Sequence, residues 1–152
     1  MSKHGSSRIE SALVVLIASL AVIVSLTNST ASAQELSFRA MGSATPVGND
    51  GRYGILAISG TASQIGAFEG TRITWKQGQS TLGTVTMTSR NGDSIEFYTE
   101  VVFDKQDIQG SGRYVITGGT GKFQGATGSG TFNVGPLKDG ARPLSWNGTL
   151  ND

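Results

Sequence analysis

Ile116-Thr-Gly-Gly-Thr-Gly-Lys-Phe-Gln-Gly-Ala-Thr-Gly-Ser-Gly-Thr-Phe132 places six glycines in seventeen residues. Ile116, Phe123 and Phe132 still keep the run apolar enough to enter a core. As a helix it would lose about 1 kcal/mol at each glycine against alanine. As a strand, a tight turn and a bent second strand it is well suited, because glycine accepts positive φ and lets backbones approach closely. The run therefore predicts a β corner, with Gly118, Gly119, Gly121, Gly125, Gly128 and Gly130 as its structural glycines.

The sequence around it alternates with period two rather than 3.6. Strands are expected at Leu36–Gly42, Arg52–Thr61, Phe68–Lys76, Thr81–Arg90, Ser94–Asp104, Gly110–Thr117, Gly128–Val134 and Pro143–Leu150. Asn49-Asp50-Gly51, Asn91-Gly92-Asp93 and Lys138-Asp139-Gly140 supply turn residues where hairpins need positive φ. No segment after residue 33 holds an amphipathic helix of ten residues; a single helical turn is expected at Gln64–Phe68. Strands at this spacing, with no helices to cover a face, imply a sandwich or a barrel. The expected fold is all-β: one antiparallel closed β-barrel of about eight strands. Closure removes exposed edges, which a chain with only 15% charged residues has little else to protect. A two-sheet sandwich is the alternative. Ile58-Ser-Gly-Thr-Ala-Ser-Gln-Ile-Gly-Ala echoes the Ile-Thr-Gly opening and later Gly-Ala pair of the 116–132 run. It is either a duplicated hairpin corner or a second solution to the same bending problem.

The N-terminus reads as a targeting segment. Lys3 and Arg8 precede an apolar stretch from Ala12 to Leu26, and Ala31-Ser32-Ala33 is the small-x-small pattern of a cleavage site. A signal helix over 1–33, cut after Ala33, leaves a barrel domain over 34–152. The rival is a retained membrane anchor. Fifteen helical residues reach only about 22 Å, against about 30 Å of hydrocarbon, so cleavage and secretion (periplasmic or extracellular) with no stable membrane span are expected. A domain of this length buries roughly two-thirds of its unfolded surface, enough to manage without disulfides, and the chain has no cysteine.

From Gln34 onward ten Lys/Arg balance ten Asp/Glu, with no basic cluster, which argues against nucleic acid as a partner. The single histidine, His4, lies in the leader. The domain therefore lacks the residues for a Ser-His-Asp triad, a Cys-His pair or an imidazole or thiolate zinc site. Neither metal nor cofactor is expected. Asp104 and Asp107 near Gln106 lack the glycine and closing glutamate of a calcium loop. Gly119-Thr-Gly121 departs from the dinucleotide and P-loop patterns and is not followed by a helix.

Catalysis would have to use carboxylates, tyrosines or lysines. On a strand over 94–104, Glu96, Tyr98 and Glu100 share one face, and Ile95, Phe97, Thr99, Val101 and Phe103 the other. Turned into a lumen, Glu96 and Glu100 beside Tyr98 would form an acid or base site. The plainer reading makes that face the solvent face, since the opposite one is apolar. Tyr53, Trp75, Tyr114 and Trp146 are the aromatic candidates for lining a ligand pocket, although such residues more often build core or rim. Arg113 and Tyr114 alternate, so only one can point inward.

Ile116-Thr-Gly-Gly-Thr-Gly-Lys-Phe-Gln-Gly-Ala-Thr-Gly128 resembles the Gly-Gly-Thr-Gly-x-Phe-x-x-Ala-x-Gly signature of the allene oxide cyclase and dirigent β-barrels. Gly60-Thr-Ala-Ser-Gln-Ile-Gly-Ala-Phe-Glu-Gly70 and Asn91-Gly-Asp93 are similar to segments of secreted bacterial allene-oxide-cyclase-like barrels. The resemblance implies an eight-stranded antiparallel barrel with an apolar lumen, often oligomeric in plant members, so a homo-oligomer is among the expected partners. It carries over no pocket residues. Three functions compete: a barrel binding a small apolar molecule without transforming it, a structural or interaction protein with a filled lumen, and a cyclase, isomerase or dirigent-like protein acting on a bound ligand.

Overall fold

The alternating segments join, three of them through Asn-Gly or Asp-Gly turns, into an antiparallel meander whose last strand returns to the first. In the computed structural model, which describes residues 33–152, eight strands form this meander. They are β1 (Glu35–Asn49), β2 (Gly54–Ala62), β3 (Gly66–Gln77), β4 (Ser80–Ser89), β5 (Ser94–Phe103), β6 (Gly110–Gly119), β7 (Gly128–Val134) and β8 (Arg142–Asn151). Each pairs with its sequence neighbours, and β1 closes on β8 from Glu35↔Asn151 to Ala44↔Arg142. No strand margin is left open, so the sandwich alternative falls. The leader expected over 1–33 lies, but for Ala33, outside the described residues.

The three turns behave as their sequences require. Gly51, Gly92 and Gly140 have φ of 83°, 88° and 80°. The expected helical turn at Gln64–Phe68 does not form. Gly66 adopts φ 76°, which ends right-handed winding, and β3 starts there. The one described helical turn lies instead at Gly121–Phe123, inside the glycine run. β1 extends to Asn49, well past the expected Gly42, because Pro46–Asn49 still finds partners in Leu56–Gly54 across a bulge between Pro46 and Gly48. A second register shift, opposite Glu96 and Phe97, lets β6 curl toward the glycine run.

Alternation sends one residue in two into the lumen. Its middle is filled by a buried aromatic cluster: Phe38, Phe68, Phe97, Tyr114, Phe132 and Trp146. Phe132 and Trp146 have centroids 4.8 Å apart, and Phe97 meets Tyr114 edge-on at 5.6 Å. Tyr114 fits because Gly130 and Gly148 face it. A Cβ on either would come within 2.8 Å and 2.7 Å of its ring and hydroxyl.

The two ends differ. At one, where β2–β3, β4–β5 and β6–β7 connect, the glycine run folds inward and inserts Phe123, only 1% exposed, with Ala126 beside it. Thr120 N–H donates to Ser94 O at 2.9 Å, and Thr127 and Asn151 exchange backbone bonds at 2.9 and 2.7 Å. Lys122 Nζ ties this plug to Gln64 O at 3.1 Å. The Ile58 and Ile116 echo falls on the two hairpins of this end, β2–β3 and β6–β7, and Gly66 and Gly125 turn them at φ 76° and 78°. At the other end the loops between β1–β2, β3–β4, β5–β6 and β7–β8 stay outside the lumen.

Candidate functional site

β3 carries Phe68, Gly70, Arg72, Thr74 and Lys76 on its inward face. Phe68 is anchored in the aromatic cluster, so two residues on the strand must bring Gly70 in, and four must bring in Arg72. Arg72 pairs in register with Leu56 of β2 and Val85 of β4 and is 3% exposed. Its guanidinium lies over the Phe132 ring, 5.1 Å from the centroid.

Above this floor, at the unplugged end, lies a cavity of about 320 Å³. Ala44, Leu56, Phe103, Val134 and Leu144 give it apolar walls; Arg72, Lys76, Arg142, Asp107, Thr74 and Thr81 supply its polar groups. Its size is at the lower end of the range for small-molecule sites (about 300–1,000 Å³). Arg142 and Lys76 flank the Phe103 ring, each 5.4 Å from its centroid. Arg142 also donates Nη1 to Ile108 O (2.7 Å) and Gly135 O (3.1 Å), and Nη2 to Asp107 O (3.0 Å). It thereby straps the β5–β6 and β7–β8 loops together. The Asp104 carboxylate holds the first of these loops by accepting from Ile108 N–H at 2.7 Å. A larger cavity of about 710 Å³ lies against the ends of β5–β8 and is lined in part by the outward-facing Ser111, Asn133, Ser145 and Met41. Asp104, already bonded to its own loop, is its single charged side chain.

Electrostatics mark Arg72 out. Burial lowers its pKa from 12.5 to about 10, so it still carries its charge at neutral pH. Nε and Nη2 are buried with no hydrogen-bond partner. Thr81, another residue lining the cavity, likewise has its Oγ1 buried and unpartnered. Among the described residues the one salt bridge is Arg113–Glu100, outside the barrel.

The residues singled out in the sequence lie elsewhere. Glu96, Tyr98 and Glu100 face outward: Tyr98 is 36% exposed and Glu100 accepts from Arg113 Nη2 at 2.7 Å. Ile95, Phe97, Thr99 and Val101 are buried on the inner face. Acid–base chemistry on a lumen-held ligand is therefore not open to Glu96 or Glu100. Among the described residues no strand-borne carboxylate faces inward. Tyr53 and Trp75 form an outer aromatic cluster with Tyr98, centroids 6.1 and 6.3 Å apart. Tyr114 and Trp146 do point inward but belong to the packed middle, not to the cavity. Burial pushes the Tyr114 hydroxyl up to about 12, against a weak opposing bond to Thr149 O. The cavity residues Leu56, Arg72, Lys76, Thr81 and Phe103 were missed as a site. For Arg72 and Lys76 the signal was the parity they share with Phe68; Phe103 was already on the apolar face of its strand, but nothing tied it to a site.

No protein-family model matches the chain, and no curated protein does. Solved structures do. One is the pterocarpan synthase dirigent protein GePTS1, with TM-score 0.55 and 12% identity over 80% of this chain and 89% of that one. Another is the pterocarpan synthase dirigent protein PsPTS1, with TM-score 0.54 and 10% identity over 78% of this chain and 95% of that one. At these identities the likeness establishes a dirigent-like fold.

Proposed function

We propose that this chain is an exported barrel that holds a small, largely apolar molecule at the unplugged end of its lumen without transforming it. One observation carries the reading: the cavity of about 320 Å³, apolar at its walls and set on a filled aromatic floor. A lumen packed from end to end would instead favour a purely structural barrel. Native mass spectrometry of protein purified from its own host tests the proposal. A co-purifying small molecule is expected, and it should be absent from Leu56→Trp, whose larger side chain fills the cavity. A bare native protein after gentle purification sinks the proposal. Export rests on the leader pattern; N-terminal sequencing of the secreted form should begin at Gln34.

A second reading, in which the barrel steers a reaction of what it holds, draws support from the fold shared with the two pterocarpan synthase dirigent proteins. The side chains weigh against it. The inward strand positions offer no carboxylate, and Tyr114 Oη is committed to the packed middle. The Gly-Gly-Thr-Gly run supports a finer placement among secreted bacterial allene-oxide-cyclase-like barrels.

A further inference from the structure

We infer that the molecule held at the unplugged end is an organic monoanion, a carboxylate with an apolar body, that enters acid-first and is anchored by Arg72. The inference rests on the lumen-binding reading above and adds the chemistry of the ligand's head.

Arg72 and Arg113 form a natural comparison. Arg113 presents the edge made by Nε and Nη2 to the Glu100 carboxylate, both donating to Oε2, at 3.1 and 2.7 Å. That edge is the side-on fork by which guanidinium binds carboxylates. In Arg72 the same two atoms, Nε and Nη2, are the buried donors without a partner. The Phe132 ring covers a face of the guanidinium and accepts nothing from the in-plane N–H groups. The side chain lines the cavity, and with Nε and Nη2 closed to solvent as it stands, binding requires the guanidinium to rotate so that this edge meets the ligand. An uncompensated charge at 3% exposure is costly to keep. A carboxylate from outside the chain would offset that cost, because no inward carboxylate is built into the strands.

The rest of the site agrees in sign and shape. Lys76 and Arg142 stand at the mouth with Asp107 as the single acid among the lining residues. The lining thus carries three cations against one carboxylate, which favours entry of an anion. Thr81 Oγ1 adds an unpartnered hydroxyl able to donate to a second carboxylate oxygen. Leu56, Leu144, Val134 and Phe103 leave an apolar sleeve between floor and mouth for the body of the ligand.

Octanoate and its neutral isostere octanamide provide the test, by isothermal titration calorimetry on the whole protein. Octanoate should bind roughly 10–100-fold more tightly, the worth of a hydrogen-bonded charge. Arg72→Met should erase that preference, with the melting temperature unchanged or raised. Arg72→Lys, which keeps the charge and loses the fork, should fall between. Equal binding of the two probes, or full octanoate affinity in Arg72→Met, overturns the anion anchor and leaves the lumen reading standing. Binding of neither probe to the native protein overturns both. If Arg72→Met fails to fold, Arg72→Lys decides: unchanged octanoate preference there overturns the fork.

Discussion

The two ends of the barrel solve the same problem in opposite ways. Each must terminate a stack of inward side chains. At one end the 116–132 run turns back into the lumen and seals it with Phe123, held between Thr120, whose N–H donates to Ser94 O, and Thr127, which exchanges backbone bonds with Asn151. At the other the loops are strapped to each other by Arg142 and stay outside, and the stack stops at a charged residue on an aromatic ring. The first end is built for stability. The second gives up packing and a satisfied charge, the pattern expected where a protein keeps a site.

The contrast can be broken by substitution. Phe123→Ala should have the largest effect, costing about 3–5 kcal/mol of unfolding free energy by urea denaturation, since it opens a cavity in a sealed region. Arg72→Met at the other end should go the opposite way, neutral to about 4 kcal/mol more stable, because an unpaired buried charge gives way to a packed side chain. A loss of stability as large as that of Phe123→Ala would make Arg72 a structural residue and erase the distinction between the ends.

Between them, Tyr114 predicts an alkaline signature. Its hydroxyl titrates at about 12 in the fold and near 10 when unfolded. The neutral form is the one the fold favours, so its contribution is complete below pH 10 and is lost as pH rises through 12. Urea midpoints between pH 10 and 12 should therefore fall more steeply in the native protein than in Tyr114→Phe. Smallest of all, Glu100→Gln should cost under about 1 kcal/mol and mostly vanish in high salt, because the Arg113 pair is exposed.

Much of this was legible in the residues. Asn91-Gly92-Asp93 and Lys138-Asp139-Gly140 fixed hairpins, and Ile95, Phe97, Val101 and Phe103 named the inner face of β5, because local alternation and turn chemistry are short-range. Arg72 was not legible for a physical reason. β3 is apolar on both faces: Ile73 and Trp75 mark one, Phe68 the other. The hydrophobic pattern of Thr71–Lys76 taken alone points Ile73 and Trp75 inward. Which face wins is set by register with β2 and β4, a long-range pairing that no window of sequence contains. Phe123 was visible as apolar, but its role as a plug depends on Gly121 at φ 59° beginning a turn that directs the chain into the lumen.

The seam between β1 and β8 has a consequence for biosynthesis. β1 finds one of its two neighbours only when the ten residues of β8 have been made. A chain stopped at Val134 would expose two unpaired edges, on β1 and β7, each a template for joining another molecule. The barrel thus cannot close until β8 has been made, and termination before β8 should yield aggregates rather than a smaller soluble product.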